Sequence, residues 1–174
     1  MSNQCCDGDP HPDSSGLQKS VRALKEIDLE LAYLAVLTRE GLKPLSRWEK
    51  PLTAGDLEIL QQAGLITKQV RRTVKNGTEI VETIFGRTPA YIQLYEQAFG
   101  NTPIDKSPQT QRFEGFLFGY PPCCVNRYIR KPYAPNNLPE HEQKILFHWA
   151  CRGCKITPEL LPAYKNAHDL LERC

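Results

Sequence analysis

The sequence predicts a mainly helical α+β fold that contains one β-hairpin in a winged-helix-like amino-terminal part. Apolar residues recur every three or four positions along several segments, and one segment alternates on either side of Asn76-Gly77. The length of 174 residues suits one ordinary domain. We divide the chain into a disordered tail (1–16), a helix–helix–hairpin–helix part (17–105) and a helical cysteine-rich part (106–174).

The composition is that of a globular chain, with 40% hydrophobic residues, 24% charged residues and a net charge of +2. No apolar run approaches the roughly 18 residues of a membrane span. The amino terminus lacks the basic and apolar regions of a signal peptide. We therefore expect a cytoplasmic protein without membrane contact, whose seven cysteines stay reduced and indicate metal or redox chemistry.

The amino-terminal segment 1–16 is rich in Asp, Ser, Pro and Gly and shows no periodicity, which is typical of disorder. It carries Cys5 and Cys6, which we interpret as incidental flexible thiols. The leucine spacing that follows predicts one amphipathic helix from Leu17 to Glu40, and Gly41 is expected to end it.

A second helix is predicted from Thr53, a residue type that often caps helices, to Gly64. The next segment, LITKQVRRTVKNGTEIVETIFG, predicts a β-hairpin because apolar and polar residues alternate along it. Its Asn76-Gly77 pair favours a two-residue turn with positive φ at both positions.

The rest of the chain is expected to be helical with irregular connections. Residues 119–122 end one helix and begin a short helix that carries a cysteine pair. Further helices are predicted at 89–100, 111–118, 139–150 and 158–172, the last with Thr157 as its N-cap.

The order helix, helix, basic hairpin resembles a winged-helix DNA-binding module. The hairpin offers four basic side chains that could contact phosphates: Lys68, Arg71, Arg72 and Lys75. The helix before the hairpin has an acidic polar face, with Asp56 and Glu58, which would repel the DNA backbone. Nucleic acid is therefore a possible partner but not the favoured one.

Two short stretches, GYPPCC and HWACRGC, contain the cysteine and histidine residues that indicate metal or thiol chemistry. Cys123 and Cys124 follow a double proline at the start of a helix, where free N–H groups and the helix dipole stabilise a thiolate. His148 and Cys151 are three residues apart and are predicted to share a helix face. A left-handed Gly153 would then end that helix and turn Cys154 back beside Cys151.

We interpret Cys123, Cys124, Cys151 and Cys154 as ligands of a metal site, with His148 as a fifth candidate. The spacing does not decide between zinc and an iron–sulfur cluster. Two other interpretations stay open: a metal-free dithiol redox site at Cys151 and Cys154, and thiols that are simply buried for packing.

The same residues resemble the signature of an uncharacterised prokaryotic family of small cysteine-motif proteins. Its members carry Gly-Tyr-Pro-x-Cys-Cys-Val, a later pair of cysteines, and a helix that begins with Ser or Thr. The matching positions here are Gly119, Tyr120, Pro121, Cys123, Cys124, Val125, His148, Cys151, Cys154 and Thr157. The resemblance implies that the cysteines act as one unit, and it implies no reaction.

The leading functional hypothesis is a metal- or iron–sulfur-binding protein, with a redox or sulfur-transfer step on a small molecule as a further option. Its expected partner is a small-molecule substrate or a redox partner protein. The alternative is a winged-helix-like DNA-binding regulator whose cysteines sense metal or redox state. The sequence assigns no catalytic residue and leaves open whether the protein is an enzyme.

Overall fold

The computed structural model describes residues 14–174, which form eight α-helices and one three-stranded sheet, so the predicted mainly helical α+β class is confirmed. Within this range, no helix combines the length and apolar character needed to cross a membrane. Cys5, Cys6 and most of the predicted tail lie outside the described residues. The elements are α1 (Ser14–Ile27), α2 (Leu29–Arg39), β1 (Leu45–Trp48), α3 (Ala54–Gln62), β2 (Ile66–Thr73), β3 (Glu79–Gly86), α4 (Pro89–Phe99), α5 (Pro108–Leu117), α6 (Pro122–Arg130), α7 (Glu140–Lys144) and α8 (Ile156–Arg173).

The segment predicted as one helix from Leu17 to Glu40 is in fact two helices, and the first begins three residues inside the predicted tail. Asp28 breaks it, with an extended backbone (φ −165°, ψ 130°) and a side chain that accepts a hydrogen bond from the Glu30 N–H. The helix period continues through this break, so the apolar spacing alone could not reveal it. Gly41 ends α2 with φ +78°, as predicted.

The sheet has the order β1-β3-β2, so the predicted hairpin gains a strand that the sequence pattern did not reveal. Strand β1 is only four residues long, and three of them, Leu45, Ser46 and Trp48, are buried. Such a strand shows no polar–apolar alternation and is too short for periodicity to detect. Its Ser46 hydroxyl lies 2.7 Å from the Thr38 hydroxyl, which joins the sheet to α2.

The hairpin loop differs from the predicted two-residue turn. Val74 donates its N–H to the Thr78 carbonyl, and Gly77 donates to the Val74 carbonyl, which leaves a three-residue loop. Gly77 has φ +85°, whereas Asn76 is not in the left-handed region. The Asn76 side chain instead accepts from the Thr78 N–H at 3.0 Å, an arrangement that favours the longer loop.

Two apolar cores hold the elements together. The first contains α1, α2 and α8 residues together with Leu60 of α3 and Leu146, and the second packs the sheet against α4 and α5. Each core therefore combines residues from both sides of the predicted boundary at 105/106. The cysteine-bearing segments lie where α6 and α8 adjoin these cores.

A network of buried charges connects the sheet to α4 and α5. Arg72 is only 2% exposed, and its Nη1 lies 3.5 Å from Glu82 Oε1 and 3.3 Å from Glu114 Oε1. Arg47 Nη1 lies 2.7 Å from the same Glu114 oxygen. The Tyr95 hydroxyl donates a short hydrogen bond to Glu82.

This network corrects one part of the DNA-binding hypothesis. Arg72, expected to contact phosphate, is buried among carboxylates instead. Lys68 forms an ion pair with Glu96 at 3.0 Å, which leaves Arg71 and Lys75 as the exposed basic residues of the hairpin that have no described ion pair. The basic surface is therefore smaller than the sequence suggested.

Replacing Arg72 by Met is expected to lower the free energy of unfolding by about 3 kcal/mol, because Glu82 and Glu114 lose a buried partner. Urea denaturation followed by circular dichroism measures this change. The matched control is Arg71→Met, one residue away and exposed, which should change stability by less than about 0.5 kcal/mol. Equal losses in both variants would contradict the structural role of the network.

Candidate metal centre

Four cysteine side chains converge at one point. The sulfur atoms of Cys123, Cys124, Cys151 and Cys154 all lie within 4.8 Å of one another. Cys154 Sγ is 3.5 Å from both Cys123 Sγ and Cys124 Sγ, which are 4.0 Å apart. The structure thus brings together the four predicted thiol ligands from two segments that are far apart in the chain.

The first pair lies in the first turn of α6. Pro121 occupies the N-cap position and Pro122 the first helical position, so the double proline places both cysteines at the helix start, as predicted. Gly119 has φ +72°, and a Cβ there would lie 2.7 Å from Pro44 Cδ, so the approach to α6 requires glycine. Cys124 is buried and Cys123 is exposed.

The second pair lies in a tight turn rather than at a helix end. The predicted helix 139–150 is limited to α7, Glu140–Lys144, so His148 and Cys151 do not share a helix face. Cys154 donates its N–H to the Cys151 carbonyl at 3.1 Å, and Gly153 adopts φ +72°. The left-handed glycine and the returning Cys154 are therefore as predicted, although the helix before them is not.

Hydrogen bonds from tertiary neighbours hold the irregular segment before this turn. Gln143 Nε2 donates to the His148 carbonyl at 2.9 Å, and Asn136 Nδ2 donates to the Ala150 carbonyl at 3.0 Å. Trp149 Nε1 donates to the Ala134 carbonyl at 2.7 Å. These side-chain donors satisfy the carbonyls of His148, Ala150 and Ala134, so the backbone keeps an irregular path without leaving these polar groups unpaired.

Three donors point at the thiol sulfurs. The Cys151 N–H donates to Cys124 Sγ at 3.3 Å. The N–H and the hydroxyl of Thr157 both donate to Cys154 Sγ, each at 3.3 Å. Thr157 is therefore not the N-cap that the sequence suggested: α8 begins at Ile156, and the Thr157 hydroxyl serves the cysteine group.

These contacts give the thiols different acidities. Burial tends to raise the pKa of Cys154, but the hydrogen bonds from Thr157 outweigh it and lower that pKa to about 6. Partial burial and the hydrogen bond with Cys154 raise the pKa of Cys123 to about 11. Burial also raises the pKa of Cys124. Cys154 is thus the thiol best prepared to ionise.

His148, the fifth predicted ligand, lies outside the group of four thiols. It is 6% exposed, and its Nε2 lies 3.0 Å from Thr157 Oγ1, so two hydrogen bonds in sequence connect it to Cys154. Burial, and then the positive charge of Lys43, lower the pKa of His148 to about 4. The imidazole is therefore neutral at physiological pH.

A cavity of about 800 Å³ lies against one side of the cysteine group. Cys124 and His148 line it, together with a largely aromatic wall that includes Phe118, Tyr120, Phe147 and Trp149. Its polar lining includes Arg47, Glu114, Gln143 and Lys144. A pocket of this size and character is typical of small-molecule sites.

Lys43 is a residue of this region that the sequence did not single out. Its side chain is buried, its Nζ donates to the Phe118 carbonyl at 3.2 Å, and it lies 4.4 Å from the centroid of the Tyr120 ring. Burial, and then Arg47, lower the pKa of Lys43 to about 7. No sequence motif marks Lys43, because its burial depends on rings from distant segments.

Comparison of the chain with protein-family models, with curated proteins and with solved structures finds no match. The resemblance to a cysteine-motif family stays a prediction. The function of the protein is therefore inferred from the geometry of the cysteine group and the cavity beside it.

In chelator-treated protein, iodoacetamide is expected to alkylate Cys154 before Cys123 at pH 7, although Cys123 is the exposed thiol. A pKa of about 6 makes Cys154 mostly thiolate at pH 7, whereas a pKa of about 11 keeps Cys123 protonated. Peptide mass spectrometry over pH 5–8 should show the rate at Cys154 rising through about pH 6 and then levelling.

The Thr157→Val variant tests the cause of this acidity. It removes the hydroxyl donor, so the pH at which the alkylation rate of Cys154 reaches half of its maximum should increase. Thr157→Ser retains a hydroxyl donor and should leave this midpoint unchanged. Faster alkylation of Cys123 than of Cys154 at pH 7 would contradict the assignment.

Proposed function

We propose that the protein binds one metal ion, preferably zinc, through Cys123, Cys124, Cys151 and Cys154. The observation that supports this best is the mutual approach of all four sulfur atoms within 4.8 Å. Four thiolates are a common ligand set of structural zinc sites, and the C-x-x-C turn at Cys151–Cys154 is a typical half-site.

The spacing of the sulfurs fits a single tetrahedral ion. Zinc–sulfur bonds of about 2.3 Å imply sulfur–sulfur distances of about 3.8 Å in a regular tetrahedron. The measured separations of 3.5, 3.5 and 4.0 Å among Cys123, Cys124 and Cys154 lie close to this value. These three sulfurs therefore already stand at about the spacing of tetrahedral ligands, and Cys151 lies within 4.8 Å of them.

An iron–sulfur cluster fits this arrangement less well. In a cluster the cysteines are distributed over two or four irons, with inorganic sulfide between the metals, so the thiolates as a set stand further apart than around one ion. The four sulfurs here form one compact group. We therefore rank zinc above the cluster that the sequence left as an equal alternative.

The proposed ion would lie between solvent and the cavity. Cys123 is exposed, while Cys124 is buried and lines the cavity of about 800 Å³. Four thiolates close the coordination shell of zinc, so the ion would stabilise the cavity wall rather than bind substrate directly. The function that we propose is zinc-stabilised binding of a small molecule.

A redox or sulfur-transfer step has less support. Such a step needs a thiol that is free to react, and three of the four cysteines are at least partly buried within the compact group. Of these four, Cys123 is the exposed thiol, and its raised pKa of about 11 disfavours the reactive thiolate in the absence of a metal. Cys154, whose pKa is lowered to about 6, would be held as a ligand of the proposed ion and would become free to react only after the ion is removed.

Anaerobically purified protein is expected to contain about one zinc ion per chain, measured by elemental analysis. Cys124→Ser and Cys151→Ser should each lower the content sharply, because each removes one of four ligands. The matched control is Cys174→Ser, which removes a thiol outside the group and should retain zinc.

Cobalt substitution tests the geometry of the site. Cobalt-loaded protein should show the intense visible bands of tetrahedral thiolate coordination, and these bands should be absent from Cys151→Ser. If elemental analysis finds iron together with inorganic sulfide, the site holds a cluster and not zinc. The absence of any metal in the unaltered protein would refute the proposal.

Removing the metal with a chelator is expected to lower the melting temperature, because the ion binds the folded state and joins α6 to the start of α8. A chelator should leave the melting temperature of Cys151→Ser almost unchanged, since that variant holds no metal to lose. Differential scanning calorimetry measures both. An equal decrease in the two proteins would show that the chelator acts elsewhere.

A further inference from the structure

A chain of hydrogen bonds leads from the cysteine group to the cavity. The Thr157 hydroxyl lies 3.3 Å from Cys154 Sγ and 3.0 Å from His148 Nε2. A hydroxyl has a single proton, and here it donates to the sulfur. The bond to His148 must then run the other way, with Nε2 as the donor and the hydroxyl oxygen as the acceptor.

This direction determines the tautomer of His148. If Nε2 carries the proton of a neutral imidazole, then Nδ1 is an acceptor with a free lone pair. The pKa of His148, lowered to about 4, keeps the ring neutral at physiological pH. The sulfur of Cys154 therefore decides, through Thr157, which nitrogen of His148 can accept a proton or a hydrogen bond.

The free nitrogen has no partner. Nδ1 of His148 is buried, and no described residue donates to it. Buried polar atoms are nearly always hydrogen-bonded in native proteins, so such an atom calls for an explanation. His148 lines the cavity, and so does Tyr120, whose ring centroid lies 5.7 Å from that of His148.

We propose that the cavity binds a flat aromatic small molecule whose N–H or O–H group donates a hydrogen bond to His148 Nδ1. The inference rests on the small-molecule function proposed above and names the class of ligand. Because Nδ1 is enclosed, a donor can reach it only when a neighbouring side chain moves, and we assign this movement to the Tyr120 ring, whose centroid lies 5.7 Å from that of His148. His148 is thus a binding residue whose orientation Thr157 and Cys154 maintain.

The walls of the cavity favour an aromatic ligand. Phe118, Tyr120, Phe147 and Trp149 supply ring surfaces against which a flat molecule can pack. The charged lining has both signs: Arg47 and Glu114 already pair with each other at 2.7 Å. The cavity therefore has no excess charge that would select an ionic ligand, and the donor to His148 provides the polar specificity.

The tautomer is tested first, on zinc-loaded protein with ¹⁵N-labelled histidine. Long-range ¹H–¹⁵N correlation spectra at pH 7 should show a protonated Nε2 and an unprotonated Nδ1 for His148. In Thr157→Val the His148 ring loses the hydroxyl group that accepts from Nε2, so the spectra should lose the preference for the Nε2-protonated tautomer. Thr157→Ser should keep the tautomer of the unaltered protein. A proton on Nδ1 in the unaltered protein would overturn the inference.

The ligand class is tested with indole and 1-methylindole, two flat molecules that differ in one position, where a methyl group replaces the hydrogen of the N–H donor. Isothermal titration calorimetry, which serves the variant without the imidazole as well, should show indole binding roughly tenfold more tightly than 1-methylindole. In the unaltered protein, indole should also shift the ¹⁵N signal of Nδ1, because this nitrogen accepts a hydrogen bond from the indole N–H. In His148→Phe the two probes should bind equally.

Equal binding of both probes to the unaltered protein, or binding of neither, would overturn the proposed ligand class. If His148→Phe does not fold, the comparison of the two probes on the unaltered protein still decides. Zinc content is measured on the same samples. Protein that holds zinc but does not distinguish the probes would refute this inference alone, whereas protein without zinc would refute the proposed metal site.

Discussion

The structure around the site depends on one electrostatic constraint: thiols this close cannot all ionise unless a cation is present. Their sulfurs lie within 4.8 Å of one another, so each thiolate opposes the ionisation of its neighbours. Cys154 has a lowered pKa and Cys123 a raised one, which is the behaviour of a group that stabilises one charge at a time. A bound divalent ion would remove this conflict and allow all four to coordinate.

Thr157 connects this constraint to the cavity. Its N–H and hydroxyl both donate to Cys154, and its hydroxyl oxygen is left to accept from His148. One side chain therefore stabilises a ligand sulfur and orients an imidazole at the cavity wall. Elsewhere in the cavity lining, Glu114 accepts hydrogen bonds from Arg47 and Arg72 and so joins the wall to the sheet.

Local rules succeeded at several helix ends that depend on their own residues. Thr53 caps α3 with a complete capping box, Gly41 ends α2, and the double proline begins α6, all as predicted. They failed where tertiary contacts compete with the local pattern. Residues 145–150 have helical apolar spacing, yet Gln143 and Asn136 hold their backbone in an irregular path.

The sequence by itself determined the mainly helical class, the hairpin and the grouping of four thiols in two short segments, because each is set by spacing along the chain. Only the tertiary structure decided that His148 lies two hydrogen bonds away from Cys154 and that Arg72 is buried. It also decided that Lys43 lies among aromatic rings. Spacing shows which residues share a face of an element, whereas distances between elements come from packing, which no local pattern encodes.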